Sequence, residues 1–353
     1  MPTPTLRSIA QTLGLSIGTV QRALNNKGGY SAETRERILE EARRCGYVVN
    51  PAASALSRRS VRLGVILPEP VEEDAYYFRR IWQGIRRGCE ELRLFQVDVE
   101  CIYASANRQR HNEDFLSALE RLSTDEVTQG IVTLESNEES YQQLVRTAEK
   151  NGKKISVINR ADNRWSNFSP YQCGCVAAEI MQYGVHRPDG QFVLLGGARE
   201  NNMHHRQAMG FADSIRQAFP ESSVLEIYEY HRLDQLSTML PRLLAGLEDL
   251  AGIYAVTSRE TLHMCRSVRR SGRVPGSFPV VGSDAFPELL EYFEDHTLMA
   301  SSYNYPARLA YSILYAMASE LTSIQVPALA RAIPAMPVFR GNAALFCNSD
   351  EIM

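Results

Sequence analysis

Gln21 and Arg22 are neighbouring side chains whose polar groups match the edges of nucleic-acid bases. A glutamine amide can pair with adenine, and an arginine guanidinium can bridge two acceptors of guanine. Ile17 and Gly18 come one helical turn before them. Residue types that contact phosphate lie on both sides, namely Thr5, Ser16, Thr19, Asn25, Ser31, Thr34 and Arg35. The pattern therefore indicates a surface that binds nucleic acid.

Charge is unevenly distributed along the chain. The 353 residues include 38 Lys and Arg against 41 Asp and Glu, a net charge of −3. Residues 1–60 nevertheless hold nine basic and four acidic side chains, which gives this segment +5 and leaves −8 for the remainder. A basic head on an acidic body suggests that the head meets a polyanion.

Short helices must position the base-reading residues. Thr5 can cap a first helix, Gly14 interrupts it after two turns, and Ser16 can cap a second helix. Ser31 can cap a third. The apolar residues Leu6, Ile9, Ala10, Leu13, Val20, Ala23 and Leu24 have helical spacing. Two short helices joined by a glycine-containing turn predict a helix-turn-helix, whose second helix would lie in the major groove.

From residue 61 onward, the pattern alternates between strands and helices. Strands are expected at 61–67, 95–103, 130–134, 154–159, 192–195, 252–255 and 280–282, with helical spacing between most of them. This alternation predicts right-handed βαβ units and parallel sheets. We therefore expect a doubly wound α/β body of two lobes, with a cleft at the carboxyl ends of the strands.

Three motifs of the head occur together. They are Leu6-x-x-Ile9-Ala10-x-x-Leu13-Gly14-Leu15-Ser16-x-x-Thr19-Val20-x-Arg22-Ala23-Leu24-Asn25, then Ser31-x-x-Thr34-Arg35-x-x-Ile38 with Gly46-Tyr47, and Asn50-Pro51-Ala52-Ala53-Ser54-Ala55-Leu56. Residues 5–59 thereby resemble the headpiece and hinge helix of the lactose-repressor (LacI-type) family. The resemblance implies DNA contacts from Ala53 and Leu56, with Leu56 inserted into a minor-groove step. Gln21 departs from the serine that is common in the family.

Residues 61–345 are similar, more loosely, to the periplasmic-binding-type effector domain of the same family, with a leaning toward its ribose-binding subset. Tyr77 and Phe78 match an aromatic pair that stacks on a sugar ring. Asn159 and Arg160 match a pair that holds sugar hydroxyls, and Asp284 matches an aspartate at a strand end. The resemblance also implies a site residue at Asn304, where a glutamine is usual.

The effector site departs from the family pattern at several positions. Asn159 replaces an aspartate, and Thr257-Ser258 stands in place of Asn-Asp. Gln207 occupies the position of an expected arginine, and Arg206 lies one residue before it, a rotation of about 100° on a helix. His204 and His205 are additional donors nearby. Trp165 is read equally well as a second stacking face or as a packing residue.

The resemblance implies a division of the chain into a headpiece, a hinge and an effector-binding and dimerisation domain. The headpiece is expected at 1–49, the hinge helix at 50–60, the effector domain at 61–345 and a tail at 346–353. The first lobe would comprise 61–160 and 289–320, and the second lobe 161–288 and 321–345.

Several other classes of protein are disfavoured. The sequence has no run of about 18 apolar residues and no apolar leader, so neither a membrane span nor a secretory signal is expected. Seven scattered cysteines do not form a disulfide framework, which favours a cytoplasmic address. Cys173-Gly174-Cys175 lacks a second ligand pair, so we expect no metal and no cofactor. No nucleophile, base and oxyanion site come together, so an enzyme is not expected.

The sequence therefore predicts a transcriptional regulator, most simply a repressor. It would bind double-stranded DNA as a homodimer on a pseudo-palindromic operator and respond to a sugar, polyol or sugar derivative. A free-standing sugar-binding protein and a sugar-modifying enzyme are the alternatives. We expect the ligand to release the protein from DNA.

Overall fold

The computed structural model describes residues 4–24, 28–47, 60–71, 75–105, 108–136, 138–158, 169–199, 201–229, 232–322, 324 and 335–348. The chain divides into two compact units, one N-terminal and one that begins at Ser60. Each unit buries its own apolar cluster. Among the described helices, none combines the length and the apolar character needed to cross a bilayer.

The N-terminal unit contains three described helices, α1 (Leu6–Leu13), α2 (Ile17–Leu24) and α3 (Ala32–Arg44). The Thr5 hydroxyl begins α1 by accepting a 3.1 Å hydrogen bond from the Ser8 N–H. Gly14 ends α1 at a φ of 66°, a left-handed conformation that favours glycine. The helices share one core, formed by Ile9, Ala10, Val20, Ala23, Ile38 and Ala42.

The first lobe of the second unit is built on four parallel strands. They are β1 (Val61–Pro68), β2 (Val97–Ala104), β3 (Thr128–Thr133) and β4 (Lys154–Val157), in the spatial order β2-β1-β3-β4. The connecting helices are α4 (Ala75–Arg93), α5 (Arg108–Thr124) and α6 (Glu139–Lys150). This is the βαβ alternation that the sequence predicts.

The second lobe contains a six-stranded sheet. Its strands are β5 (Gln191–Leu195), β6 (Ser223–Ile227), β7 (Leu250–Ala255), β8 (Val280–Ser283), β9 (Ala300–Tyr303) and β10 (Met336–Phe339). Their order is β10-β9-β8-β7-β5-β6, and only β10 runs antiparallel to its neighbour. The helices that follow α6 are α7 (Pro170–Gln182), α8 (Asn202–Ala218), α9 (Leu233–Gly246), α10 (Ser258–Arg270), α11 (Leu290–Glu294), α12 (Pro306–Thr322) and α13 (Arg340–Asn348).

The lobe boundaries differ from the sequence prediction in two places. Strand β9 pairs with β8, with Ala300 opposite Val281, so the second lobe extends to Tyr303 and the expected return at residue 289 is wrong. The chain re-enters the first lobe only with α12, which packs against α4. At the other end, α13 continues to Asn348 and its Phe346 ring contacts Tyr303, so the expected tail at 346 begins inside a packed helix.

Helices α7 and α8 touch through glycines. A Cβ atom on Gly174 would lie 2.0 Å from the Gln207 carbonyl oxygen, and one on Gly210 would lie 2.0 Å from the Tyr171 carbonyl oxygen. No side chain fits at such a distance, so the two backbones are in direct contact. This contact fixes α8, which carries several residues of the pocket described below.

Candidate functional site

A pocket of about 760 Å³, part of it open to solvent, lies between the two lobes. Its lining includes residues that directly follow strands, namely Leu134 after β3, Val256 and Thr257 after β7, Asp284 after β8 and Asn304 after β9. The carboxyl ends of parallel strands are where ligands bind in open α/β sheets.

The first-lobe side of the pocket is apolar. It is formed by Tyr77, Phe78, Leu134, Pro306 and Leu309, which we call the apolar wall. The rings of Tyr77 and Phe78 meet edge to face, with centroids 5.3 Å apart. Both residues lie in the first turn of α4, which begins at Ala75.

The second-lobe side is rich in polar groups. Seven residues, Asn201, His204, Gln207, Thr257, Ser258, Arg259 and Asp284, make up what we call the polar wall. Asp284 has a φ of 67°, a left-handed conformation that Asp tolerates better than most residues. Its backbone N–H donates to the Ser302 carbonyl oxygen at 2.9 Å, which ties its position to β9.

Asn304 lies at the crossover between the lobes and lines the same pocket. The residue is 9% exposed. Its Oδ1 atom is buried and has no hydrogen-bond partner among the described residues. Because an unpaired buried acceptor is unfavourable, this oxygen is poised to accept a hydrogen bond from a ligand.

Gln207 is held from behind by a buried network. Its Nε2 atom lies 2.6 Å from the Tyr254 hydroxyl, 3.2 Å from the Ser283 hydroxyl and 3.3 Å from the Val256 carbonyl oxygen. The Ser283 hydroxyl in turn donates to the Ala255 carbonyl oxygen at 2.8 Å. All three partners of the amide belong to the second lobe, so the amide has one orientation there.

Thr257 is held by a buried carboxyl group. Its hydroxyl donates to Glu260 Oε2 at 2.9 Å, and the Gly197 N–H donates to Glu260 Oε1 at 3.1 Å. Glu260 is fully buried, and burial raises its pKa from the ordinary 4.5 to about 7. The Thr257 hydroxyl and the Gly197 N–H act in the opposite direction by stabilising the carboxylate.

The same loop orients His204. The Ala198 N–H donates to its Nδ1 atom at 3.1 Å, so the ring is neutral when this bond forms and carries its hydrogen on Nε2. Asn201 caps α8, because its Oδ1 accepts from the Met203 and His204 N–H groups. The amide nitrogen of Asn201 and the Nε2–H of His204 are donors on the polar wall.

The structure gathers some of the predicted effector residues and not others. Tyr77, Phe78, Gln207, Thr257, Asp284 and Asn304 line the pocket. Arg206 is exposed and does not line it, because one residue along α8 turns the side chain away from Gln207. Asn159, Arg160 and Trp165 lie outside the described residues.

Sequence reasoning left Asn201, Met203 and Arg259 out of the site. Each lies at the beginning of a helix that follows a strand, four to eight residues beyond the strand end. In an open α/β sheet that position faces the ligand crevice, so the strand ends alone could have indicated all three. Among the described residues, no three His, Cys, Asp or Glu side chains come together as metal ligands.

The N-terminal unit has a separate candidate surface along α2. Ser16, Ile17, Gly18, Gln21 and Arg22 are exposed there, and Thr19 is half-buried. The Ser16 hydroxyl accepts from the Thr19 N–H at 3.1 Å and so caps the helix. Thr5, Ser31 and Arg35 are also exposed and Thr34 is half-buried, whereas Asn25, Ala53, Leu56 and the expected hinge helix lie outside the described residues.

Comparison with known sequences finds the same kind of body. A family model of the periplasmic binding protein domain matches residues 64–323. The ribose operon repressor of Bacillus subtilis is 24% identical over 289 residues, which cover 80% of this chain and 82% of that protein. The chain is thus homologous to transcriptional regulators of the LacI family.

Solved structures share the fold. A glucose-galactose binding protein from Geobacillus stearothermophilus has a TM-score of 0.67 at 18% identity, covering 81% of this chain and 99% of its own. A LacI transcriptional regulator from Bacteroides fragilis has a TM-score of 0.67 at 13% identity, covering 82% of this chain and 100% of its own. These likenesses establish the two-lobed architecture of the body.

Proposed function

This chain belongs to the periplasmic binding protein domain family, and we propose that it is a DNA-binding transcriptional regulator of LacI type that responds to a small carbohydrate-like effector. The observation that carries the proposal is the presence, in one chain, of a pocket-bearing body and a separate N-terminal unit with a polar, exposed second helix. The named relatives are regulators and sugar-binding proteins rather than enzymes.

The N-terminal unit is proposed as a helix-turn-helix head. Helix α2 enters the major groove, where Gln21 and Arg22 contact bases and Ile17 and Gly18 approach the groove floor. The hydroxyl and basic side chains around α2 contact phosphates and set its register. Residues 50–60 form the hinge helix, whose Leu56 inserts into a minor-groove step.

Two copies of the chain bind one operator. A two-fold protein requires two half-sites related by the same symmetry, so the operator is a pseudo-palindrome. The protein acts in the cytoplasm, where it meets both its operator and its effector. The relative that is named as a repressor supports repression as the output.

The effector acts by shifting a conformational equilibrium of the body. It contacts both the apolar wall and the polar wall, so it binds a closed arrangement of the lobes more tightly than an open one. A ligand changes DNA affinity only to the extent that its affinity differs between the two arrangements. We propose that the closed arrangement releases the operator.

Selection of binding sites from a random duplex library tests the DNA role. We expect a pseudo-palindromic sequence whose affinity falls steeply with salt concentration. Arg22→Ala should weaken binding to the selected duplex by at least about 10-fold and relax specificity at one base pair of each half-site. Arg44→Ala is the matched control, because Arg44 pairs with Glu41 at the far end of α3.

The hinge assignment has its own test in the same assay. Leu56→Ala should weaken binding to the selected duplex far more than binding to unrelated DNA, because only the specific complex kinks the duplex. Equal losses on both duplexes would remove Leu56 from the interface. If no sequence is enriched while sugars still bind, the chain is a sugar-binding protein and the regulator proposal fails.

A further inference from the structure

Resting on the proposed function, we infer that the effector is an uncharged polyhydroxy compound, and that Gln207 selects it by accepting a hydrogen bond from a ligand hydroxyl. Gln207 stands where the family resemblance expects an arginine, which can only donate. At this position the ligand therefore donates a hydrogen bond to the protein, whereas an arginine would donate one to the ligand.

The orientation of the Gln207 amide follows from its surroundings. A backbone carbonyl only accepts hydrogen bonds, so the group 3.3 Å from the Val256 oxygen must be the NH₂ group. The Ser283 hydroxyl donates its hydrogen to the Ala255 carbonyl oxygen. The Ser283 oxygen can therefore only accept from Gln207 and Tyr254. Both hydrogens of the Gln207 amide are thus used inside the second lobe, and its carbonyl oxygen is the group that remains for the pocket.

Thr257 is also limited to accepting. With Glu260 ionised, the Thr257 hydroxyl donates to Glu260 and its oxygen accepts from the Glu260 N–H at 3.2 Å. Asp284 contributes carboxylate oxygens, and Asn304 contributes a buried oxygen with no partner among the described residues. Four side chains therefore offer acceptors to the ligand.

The pocket lining also contains three donors. They are the Asn201 amide nitrogen, the His204 Nε2–H and the Arg259 guanidinium. Arg259 and Asp284 carry opposite charges, so the described lining has no net charge when His204 is neutral. Among the described residues of the lining, charge alone thus gives an anion no advantage.

Hydroxyl groups on a ligand can pair with both the acceptors and the donors of the lining, because a hydroxyl donates one hydrogen bond and accepts others. A carboxylate or a phosphate can satisfy the donors, but it leaves the acceptors unpaired and brings negative charge toward Asp284. A site built to hydrogen-bond a ligand hydroxyl discriminates strongly against an analogue that lacks it, since buried polar groups are then left without partners. The apolar wall supplies contact for the CH face of such a compound.

The test compares matched neutral and anionic compounds on the purified full-length chain without DNA. The pairs are D-ribose with D-ribose 5-phosphate, D-galactose with D-galacturonate, and D-glucose with D-gluconate, each titrated by thermal shift and calorimetry. We expect at least one neutral compound to bind, with its anionic partner at least 10-fold weaker. Tighter binding by an anionic member, or no binding by any neutral one, overturns the inference.

Variants assign the selection to Gln207. Gln207→Met, which keeps the side-chain length without polar atoms, should weaken the neutral compound at least 10-fold. Tyr254→Phe removes one partner of the amide without entering the pocket, so it should narrow the ratio between neutral and anionic affinities. Tyr292→Phe, a buried second-lobe tyrosine outside the pocket, should leave that ratio unchanged. An unchanged ratio in Tyr254→Phe, with unchanged neutral affinity in Gln207→Met, overturns the role of Gln207.

Two controls distinguish a failure of this inference from misfolding of a variant and from a failure of the proposed regulator function. The melting temperature of each variant without ligand is measured first, and Ser283→Ala replaces Tyr254→Phe if the latter is unfolded. If the chain binds a selected duplex but prefers anions, this inference alone fails. If it prefers neutral compounds but selects no DNA, the proposed function fails and the reading of the pocket stands.

Discussion

The two walls of the pocket differ in what they can recognise. The apolar wall offers rings and aliphatic side chains, which favour any ligand with a matching apolar face. The polar wall offers groups whose hydrogen-bond directions are set by partners deeper in the second lobe, such as Tyr254 behind Gln207 and Glu260 behind Thr257. The first lobe thus favours any ligand with a suitable apolar face, and the second lobe selects among such ligands by their hydrogen-bonding groups. A ligand is fully recognised only when both lobes contact it.

The largest expected effect comes from the carboxyl group behind the polar wall. The folded chain holds a proton on Glu260 between pH 4.5 and about 7, whereas the unfolded chain has released it. The contribution of this group to the free energy of unfolding is therefore fully present below pH 4.5 and lost as pH rises through about 7. Such a shift corresponds to roughly 3 kcal/mol.

Glu260→Gln should remove this part of the pH dependence while keeping acceptor and donor groups in place. Urea unfolding of both proteins at several pH values between 5 and 8 measures the difference. Glu139→Gln, at an exposed position on α6, is the control. Its free energy of unfolding should change with pH as it does in the unmodified chain. If the free energy of unfolding changes with pH in the same way in all three proteins, the carboxyl group behind the polar wall does not titrate as expected.

A smaller but more direct effect is expected at Asp284. Asp284→Ala should weaken effector binding at least about 100-fold, since it removes a charged acceptor from the polar wall. Ligand-free operator binding should be retained. Calorimetry with the neutral sugar that gives the largest thermal shift measures the loss.

Asp284→Asn separates the charge from the backbone conformation. Asparagine also tolerates the left-handed φ of 67°, so this variant should fold like the unmodified chain and lose less affinity than the alanine variant. Equal affinity in all three proteins would place Asp284 outside the binding site.

The smallest effect is expected on the apolar wall. Phe78→Leu keeps an apolar side chain but removes a stacking ring, so it should weaken all bound sugars about 10-fold without changing which one binds best. Phe115→Leu, in the first-lobe core, controls for the loss of an aromatic ring away from the pocket. A change in the order of preference would contradict the division of roles between the walls.

Local signals in the sequence were sufficient for part of this site. Tyr77 and Phe78 occur at the start of a helix that follows a buried strand, and Asp284 directly follows another strand. Such positions belong to single elements, so their placement depends little on the rest of the chain. The same holds for the three helices of the head, whose caps and apolar spacing are contained in about 40 residues.

The remaining features depend on contacts between distant parts of the chain. The orientation of Gln207 is set by Tyr254 and Ser283, which are 47 and 76 residues away. The sequence does not predict the short strands β9 and β10, because each has only four residues, and two serines in β9 and a proline in β10 interrupt the apolar pattern. The lobe boundary at residue 289 was misplaced for the same reason.

The glycine contact between α7 and α8 bears on how such a pocket can diverge among descendants of one ancestral gene. Because Gly174 and Gly210 bring two backbones together, almost any replacement there disturbs the whole helix that carries His204 and Gln207. Replacement of Gln207 itself changes one functional group and leaves that helix in place. A new ligand preference can therefore arise by a single substitution while the contact between α7 and α8 stays the same. Related chains should vary at position 207 while keeping both glycines.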